Sequence, residues 1–175
     1  MLLAPSGHDA RLASIGRAFH ADAGLPMGAK GFQLLPLADD PKDEIAIAVV
    51  GAHLSGMALN SELKALGGWL LKAASTAPDY KLYALKGSMP AKPGMLRIEA
   101  GAGSSIELEI WALSPASFGA FVATIPAPLS IGTIRLADGS SVQGFLVEAA
   151  AVNGARDISE FGGWRAFMAE AAATA

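Results

Sequence analysis

Cysteine is absent from the 175 residues, which excludes disulfides, a thiolate nucleophile and any cysteine-ligated metal. Charge is scarce as well: Asp, Glu, Lys and Arg make up 17% of the chain, against about a quarter in an ordinary globular domain. A net charge of −3 offers no basic surface to nucleic acid or to an anionic membrane. No run is long and apolar enough to span a bilayer, and Met1-Leu2-Leu3-Ala4-Pro5-Ser6 lacks the basic start and apolar core of a signal peptide. A cytoplasmic, soluble protein is therefore expected. His8, His20 and His53 are the only histidines and show no paired ligand spacing, so no metal and no cofactor are expected. What remains is apolar: 52% of the residues are hydrophobic. A chain of this length supports one well-buried domain, and its low charge suggests surface that a partner covers.

The most informative stretch is Ile45 to Met57. Ile45-Ala46-Ile47-Ala48-Val49-Val50 reads as a strand buried on both faces. Gly51 and Gly56 then bracket a turn carrying His53, in which main-chain N–H groups can point at a ligand. Asn60 is placed to cap a following helix, expected to run to about Ala74 because Leu59, Leu63, Leu66 and Leu70 fall on one face. Around this unit the chain predicts a helix over Asp9 to Ala21 ended by Gly24, then a proline-rich connector from Leu25 to Lys42. Short strands are expected at Lys81–Leu85 and Met95–Glu99. A half-solvated strand is expected at Ser105–Trp111, with Glu107 and Glu109 on its outer face. Ser114-Pro115 starts a helix, Asp138-Gly139 turns a hairpin, and Asp157-Ile158-Ser159-Glu160 is a capping box for a last helix to about Met168. The order is that of an α+β fold, a small, partly closed mixed β-barrel with flanking helices.

Several stretches together resemble one family. They are Val49-Val50-Gly51-Ala52-His53-Leu54-Ser55-Gly56-Met57, Thr76-Ala77-Pro78-Asp79-Tyr80, Lys92-Pro93-Gly94, Ile125-Pro126-Ala127-Pro128-Leu129, Gly144-Phe145-Leu146-Val147-Glu148 and Phe161-Gly162-Gly163-Trp164-Arg165. The chain resembles the C-terminal domain of allophanate hydrolase over residues 45–168. The segment before it, residues 1–30, looks like the end of that enzyme's amidase domain, with 31–44 a linker and 169–175 a tail. The amidase motifs themselves are not found, so the chain is expected to be a C-terminal piece or a stand-alone homologue. The resemblance implies a gamma-glutamyl cyclotransferase-like fold, whose substrate turn falls here on Val50-Gly51-Ala52-His53. The glutamate base of cyclotransferases has no counterpart in Val122-Ala123-Thr124-Ile125-Pro126, so that reaction is not expected.

In the family, the amidase step is thought to turn allophanate into N-carboxycarbamate, which the C-terminal domain decarboxylates. That implies a small dicarboxylate-type substrate, with the amidase domain as partner and a homo-oligomer as an open alternative. Loss of CO2 leaves electron density on nitrogen, so a delivered proton and held negative charge both help. His53 is the expected catalytic residue, because imidazole titrates near neutrality. The backbone at Gly51, Ala52 and Leu54, together with Asn60, is expected to bind the substrate. Lys92 and Arg97 are candidates to offset its charge, each weighed against a plain solvated role. The competing expectation is a non-catalytic domain that stabilises or assembles the larger enzyme.

Overall fold

In the computed structural model, residues 9–24, 44–87 and 92–173 are described. Contacts divide the chain into two units, Met1–Asp43 and Glu44–Ala175. In the first, helix α1 (Asp9–Asp22) closes where Ala23 N donates to Phe19 O, and Gly24 takes φ +63°, a conformation open to glycine. His20 on this helix is partly buried. The connector and His8 lie outside the described residues.

The second unit is built on strand β1 (Ile45–Val49), the middle of a five-stranded mixed sheet. It pairs antiparallel with β5 (Glu107–Leu113) and parallel with β7 (Ser141–Val147). The outer positions are β2 (Trp69–Ser75), beside β5, and β6 (Leu129–Arg135), beside β7. Ile47, Ala48 and Val49 point to alternate faces of this central strand and are all fully buried, so both faces are covered, as their unbroken apolar run requires. A second sheet holds β4 (Pro93–Arg97), β3 (Tyr80–Ala84) and β8 (Arg156–Asp157). It joins the first where Gly94 lies beneath the Val147 side chain, a spot with no room for a Cβ. Helices α2 (Asn60–Ala65), α3 (Pro115–Ala123) and α4 (Trp164–Ala173) flank the sheets.

The five-stranded sheet curls until its two edges touch. Thr76, just past β2, bridges Leu136, just past β6, with Ala77 N donating to Arg135 O and Ala137 N to Ser75 O, both at 2.9 Å. The barrel is thus drawn together where β6 ends, and at the other end of β6 Leu129 lines a cavity. The α+β, partly closed architecture expected from the sequence is what the chain adopts. Asp138-Gly139 turns the β6–β7 hairpin, with Ser140 O–H and N–H holding the Asp138 carboxyl down to about 2. Ser114 caps α3 through Ser117 N.

Three expectations are corrected. The helix from Asn60 does not reach Ala74: it ends at Ala65, Gly67 turns left-handed at φ +76°, and Gly68 N donates back to Leu63 O. The chain then runs as β2, whose Leu70 and Leu71 are exposed on the sheet edge. The leucine spacing imitated a helix, and the two glycines decided otherwise. The capping-box segment does not open α4. Asp157 belongs to β8 and accepts from Ser159 N and Oγ, a 3-10 turn spans Ser159–Phe161, and the helix starts at Trp164. Finally, β5 is not half-solvated. It lies between β1 and β2, and Glu109 is only 4% exposed.

Candidate functional site

The cavity, of about 210 Å³, opens where β1 runs out. Val49, Val50, Gly51, Ala52 and His53 form one wall; Phe121, Thr124, Ile125 and Pro126 from the end of α3 form another. Phe145 of β7 and Leu129 of β6 supply the floor, and Lys92, Pro93, Leu59 and Glu62 complete the lining. Gly51 is required here for a packing reason. A Cβ at that position would stand 2.5 Å from Pro93 Cδ, so the main chain and the proline ring share the space. Among the described lining residues Glu62 is the one carboxylate. The α3 end, where a cyclotransferase base would fall, contributes Thr124, Ile125 and Pro126 and no acid.

His53 sits in an aromatic bracket. Its ring stacks on Phe145 at 5.5 Å between centroids and meets Phe121 edge-on at 5.0 Å. Its Nε2 lies 3.0 Å from Glu62 Oε2. Burial lowers the pKa of the imidazole below its ordinary 6.5; the Glu62 carboxylate pulls the other way and the Lys92 charge adds to the lowering. The ring is thus mainly neutral at neutral pH, with a carboxylate ready to receive its N–H.

The turn that carries His53 is held by its own backbone. Leu54 N donates to Gly51 O, Met57 N to Leu54 O, Leu59 N to Ala52 O and Asn60 N to Met57 O. Gly51, Ala52 and His53 donate in none of these bonds, and all three line the cavity. Leu54 corrects the expectation that its N–H would hold substrate: that group is spent on Gly51 O at 2.9 Å, and the side chain is fully buried in the core. Asn60 is neither cap nor cavity lining. It is the first residue of α2, buried, and its Nδ2 donates to His53 O at 2.9 Å, which supports the histidine from behind. Lys92 lines the cavity, whereas Arg97 turns to Tyr80 Oη and Thr133 O.

Sequence reasoning missed what anchors the turn. Ser55 offers both N–H and Oγ–H to Glu109 Oε2, at 2.8 and 2.9 Å, and Trp111 Nε1 donates to the same oxygen at 3.0 Å. Arg165 Nη2 reaches Glu109 Oε1 at 2.6 Å and also donates to Ser55 O, while its Nη1 pairs with Glu107. Burial would raise the Glu109 carboxyl, but the donors from Ser55, Arg165 and Trp111 outweigh it and hold the group below the usual glutamate range. The signal that pointed there was Trp111, which shares a strand face with Glu109 and needs an acceptor for its indole N–H once buried. Among the described residues no group of three or more His, Asp or Glu is placed to hold a metal, and no helix is long and apolar enough to cross a membrane.

The fold and site define a class: an α+β domain whose central strand delivers a histidine turn to a small, mostly apolar cavity with a lysine and a carboxylate on its lining. Comparison with known proteins narrows it. The family model described as allophanate hydrolase C-terminal domain matches residues 45–169, and the chain belongs to that family. Urea amidolyase from Saccharomyces cerevisiae is 38% identical over 132 residues, covering 74% of this chain and 7% of the relative. The solved Kluyveromyces lactis allophanate hydrolase superposes with a TM-score of 0.71 at 36% identity, over 75% of this chain and 22% of that one. A uropathogenic Escherichia coli-specific protein superposes with a TM-score of 0.66 at 37% identity, over 72% of this chain and 96% of that one. The chain therefore spans a small part of the long enzymes it matches, and nearly all of the short one.

Proposed function

We propose that this chain decarboxylates N-carboxycarbamate, the product expected from amidase action on allophanate, and so serves urea and allophanate degradation with an amidase domain as its partner. The observation that carries the reading is His53 in the cavity wall, beside turn N–H groups that the turn itself does not use. The substrate is a small dianion, two carboxylates on one nitrogen, and a cavity of about 210 Å³ suits a molecule of that size. The Gly51 and Ala52 N–H groups hold one carboxylate, and the Lys92 ammonium on the cavity lining offsets charge. As the second carboxyl leaves as CO2, the electron pair of its C–N bond stays on nitrogen, which takes a proton from the protonated ring of His53.

His53→Ala tests this directly. With allophanate and an amidase supplied to make the product in place, CO2 release above the protein-free rate should fall about 10²–10⁴-fold, the usual share of a positioned proton donor. Wild-type acceleration in that variant would remove the reading. A second reading, a domain that stabilises or assembles a larger amidase, is favoured by one feature: Leu70 and Leu71 stand exposed on the edge strand β2. It predicts no acceleration by the wild-type chain, and a changed oligomeric state or melting temperature of the amidase when the chain is added.

A further inference from the structure

We propose that Glu62 is a positioning residue of this site: by accepting the His53 Nε2–H it fixes the ring and balances its charge, so that Nδ1 is the nitrogen that delivers the proton to substrate. The inference rests on the decarboxylation reading above and goes beyond it by assigning the two ring nitrogens and a second residue.

The geometry carries the argument. Glu62 is the first-turn acid of α2, and its carboxylate reaches back across the turn to lie 3.0 Å from Nε2. An ionised carboxylate only accepts hydrogen bonds, so Nε2 is the protonated nitrogen, and the ring's remaining nitrogen, Nδ1, is the one left to meet a ligand. Phe145 stacked on the ring and Phe121 against its edge leave it little freedom to turn over. Among the described residues two charged groups face the imidazole. Glu62 comes from α2 and Lys92 from the segment leading into β4, while α3 and β7 present only Phe121 and Phe145.

These neighbours pose a problem that Glu62 solves. Delivering a proton requires the charged ring for a moment, yet burial and Lys92 both disfavour that form. The facing carboxylate is the group that favours it, in the way a buried acid steadies the histidine of a hydrolase triad. The balance is complete without a co-reactant. The dianion and the charged ring become carbamate, CO2 and the neutral ring, and a solvent proton restores Nδ1. Half of the Glu62 side chain is solvent-exposed, at 51%, so the substitution Glu62→Gln removes charge with little cost to the fold.

The experiment follows His53 by NMR in the whole chain, wild type and Glu62→Gln, with the His53→Ala variant assigning its signals. CO2 release from product made in place is measured across the same pH series. The expected result is a neutral ring protonated at Nε2 in the wild type, and a lower His53 titration midpoint in Glu62→Gln. The rate of Glu62→Gln should fall severalfold at neutral pH and recover on acidification, with the KM little changed. A merely structural role would leave the midpoint and the pH profile where they were. An Nδ1-protonated ring, an unchanged midpoint or a wild-type pH profile in Glu62→Gln overturns the assignment. Should the wild-type chain and His53→Ala both match the protein-free rate, the decarboxylation reading falls and takes this role with it. Should only His53→Ala lose acceleration while Glu62→Gln keeps it, the reading stands and Glu62 alone is dismissed.

Discussion

Between Gly51 and Asn60 the chain faces a cavity with its first residues and a buried carboxylate with its middle ones, and the two sides treat charge in opposite ways. On the cavity side His53 has aromatic rings on two sides and one carboxylate at Nε2, and burial pushes its proton off. On the anchor side Glu109 is less exposed to solvent and still keeps its charge, because Ser55 N, Ser55 Oγ, Trp111 Nε1 and Arg165 Nη2 all donate to it. Low solvent exposure alone does not discharge a group whose partners offset the desolvation, as the donors to Glu109 do. The contrast also divides the labour. The satisfied side holds the turn in place, and the sparsely partnered side is left able to change protonation state.

The largest expected effect comes from breaking the anchor. Glu109→Ala strands the Trp111 indole N–H and the Ser55 N–H and takes one of two acids from Arg165. Removing one member of a fully buried ion pair costs about 3–5 kcal/mol, and with Arg165 31% exposed the loss is expected at the lower end of that range. Urea denaturation should show that loss as a lower midpoint with an unchanged slope. A shift below about 1 kcal/mol would mean that the turn is held elsewhere, and the comparison would lose its rigid half.

The cavity side was legible in the sequence and the anchor side was not. An apolar run ending in Gly51-Ala52-His53 announces a strand and a glycine-flanked turn through local pattern alone, and the Ser114-Pro115 start and Asp138-Gly139 hairpin are equally local. Glu109 depends on Arg165, 56 residues away in the chain, so its alternation with Leu108 and Ile110 looked like a solvated face. The same limit hid the aromatic bracket, since Phe121 and Phe145 meet His53 only once α3 and β7 are packed. Strand β2 failed for a local reason: Leu59, Leu63, Leu66 and Leu70 keep helical spacing across Gly67, whose φ of +76° breaks the helix before Leu70.

A smaller effect should follow from crowding the cavity side. Gly51→Ala places a methyl group 2.5 Å from Pro93 Cδ, and a proline ring cannot swing aside as a flexible side-chain end would. Overpacking of this kind costs about 1–3 kcal/mol. Because Gly51 and Pro93 both line the cavity, the variant should also weaken binding of malonate, a stable dicarboxylate of the proposed substrate's shape, as read by calorimetry. Full stability together with full malonate binding would show that the wall gives freely and that glycine is not needed there.

The smallest effect separates the two sides by pH. Both groups have lowered pKa values in the folded chain, so for both the unfolded state binds protons first as the solution is acidified, and stability falls. The windows differ because the unfolded values differ. The His53 contribution is lost as pH drops from its ordinary 6.5 toward the lower folded value. The Glu109 contribution is intact above its ordinary 4.5 and is lost as pH falls through the folded value below that. His53→Gln should therefore erase the step just below neutrality and leave the acid step in place, whereas Glu109→Gln should flatten the acid step and spare the upper one. Melting temperatures across the pH range read both at once. Loss of both steps in either variant would mean that the two sides titrate as one unit, and the division of the turn into a reactive half and a rigid half would not hold.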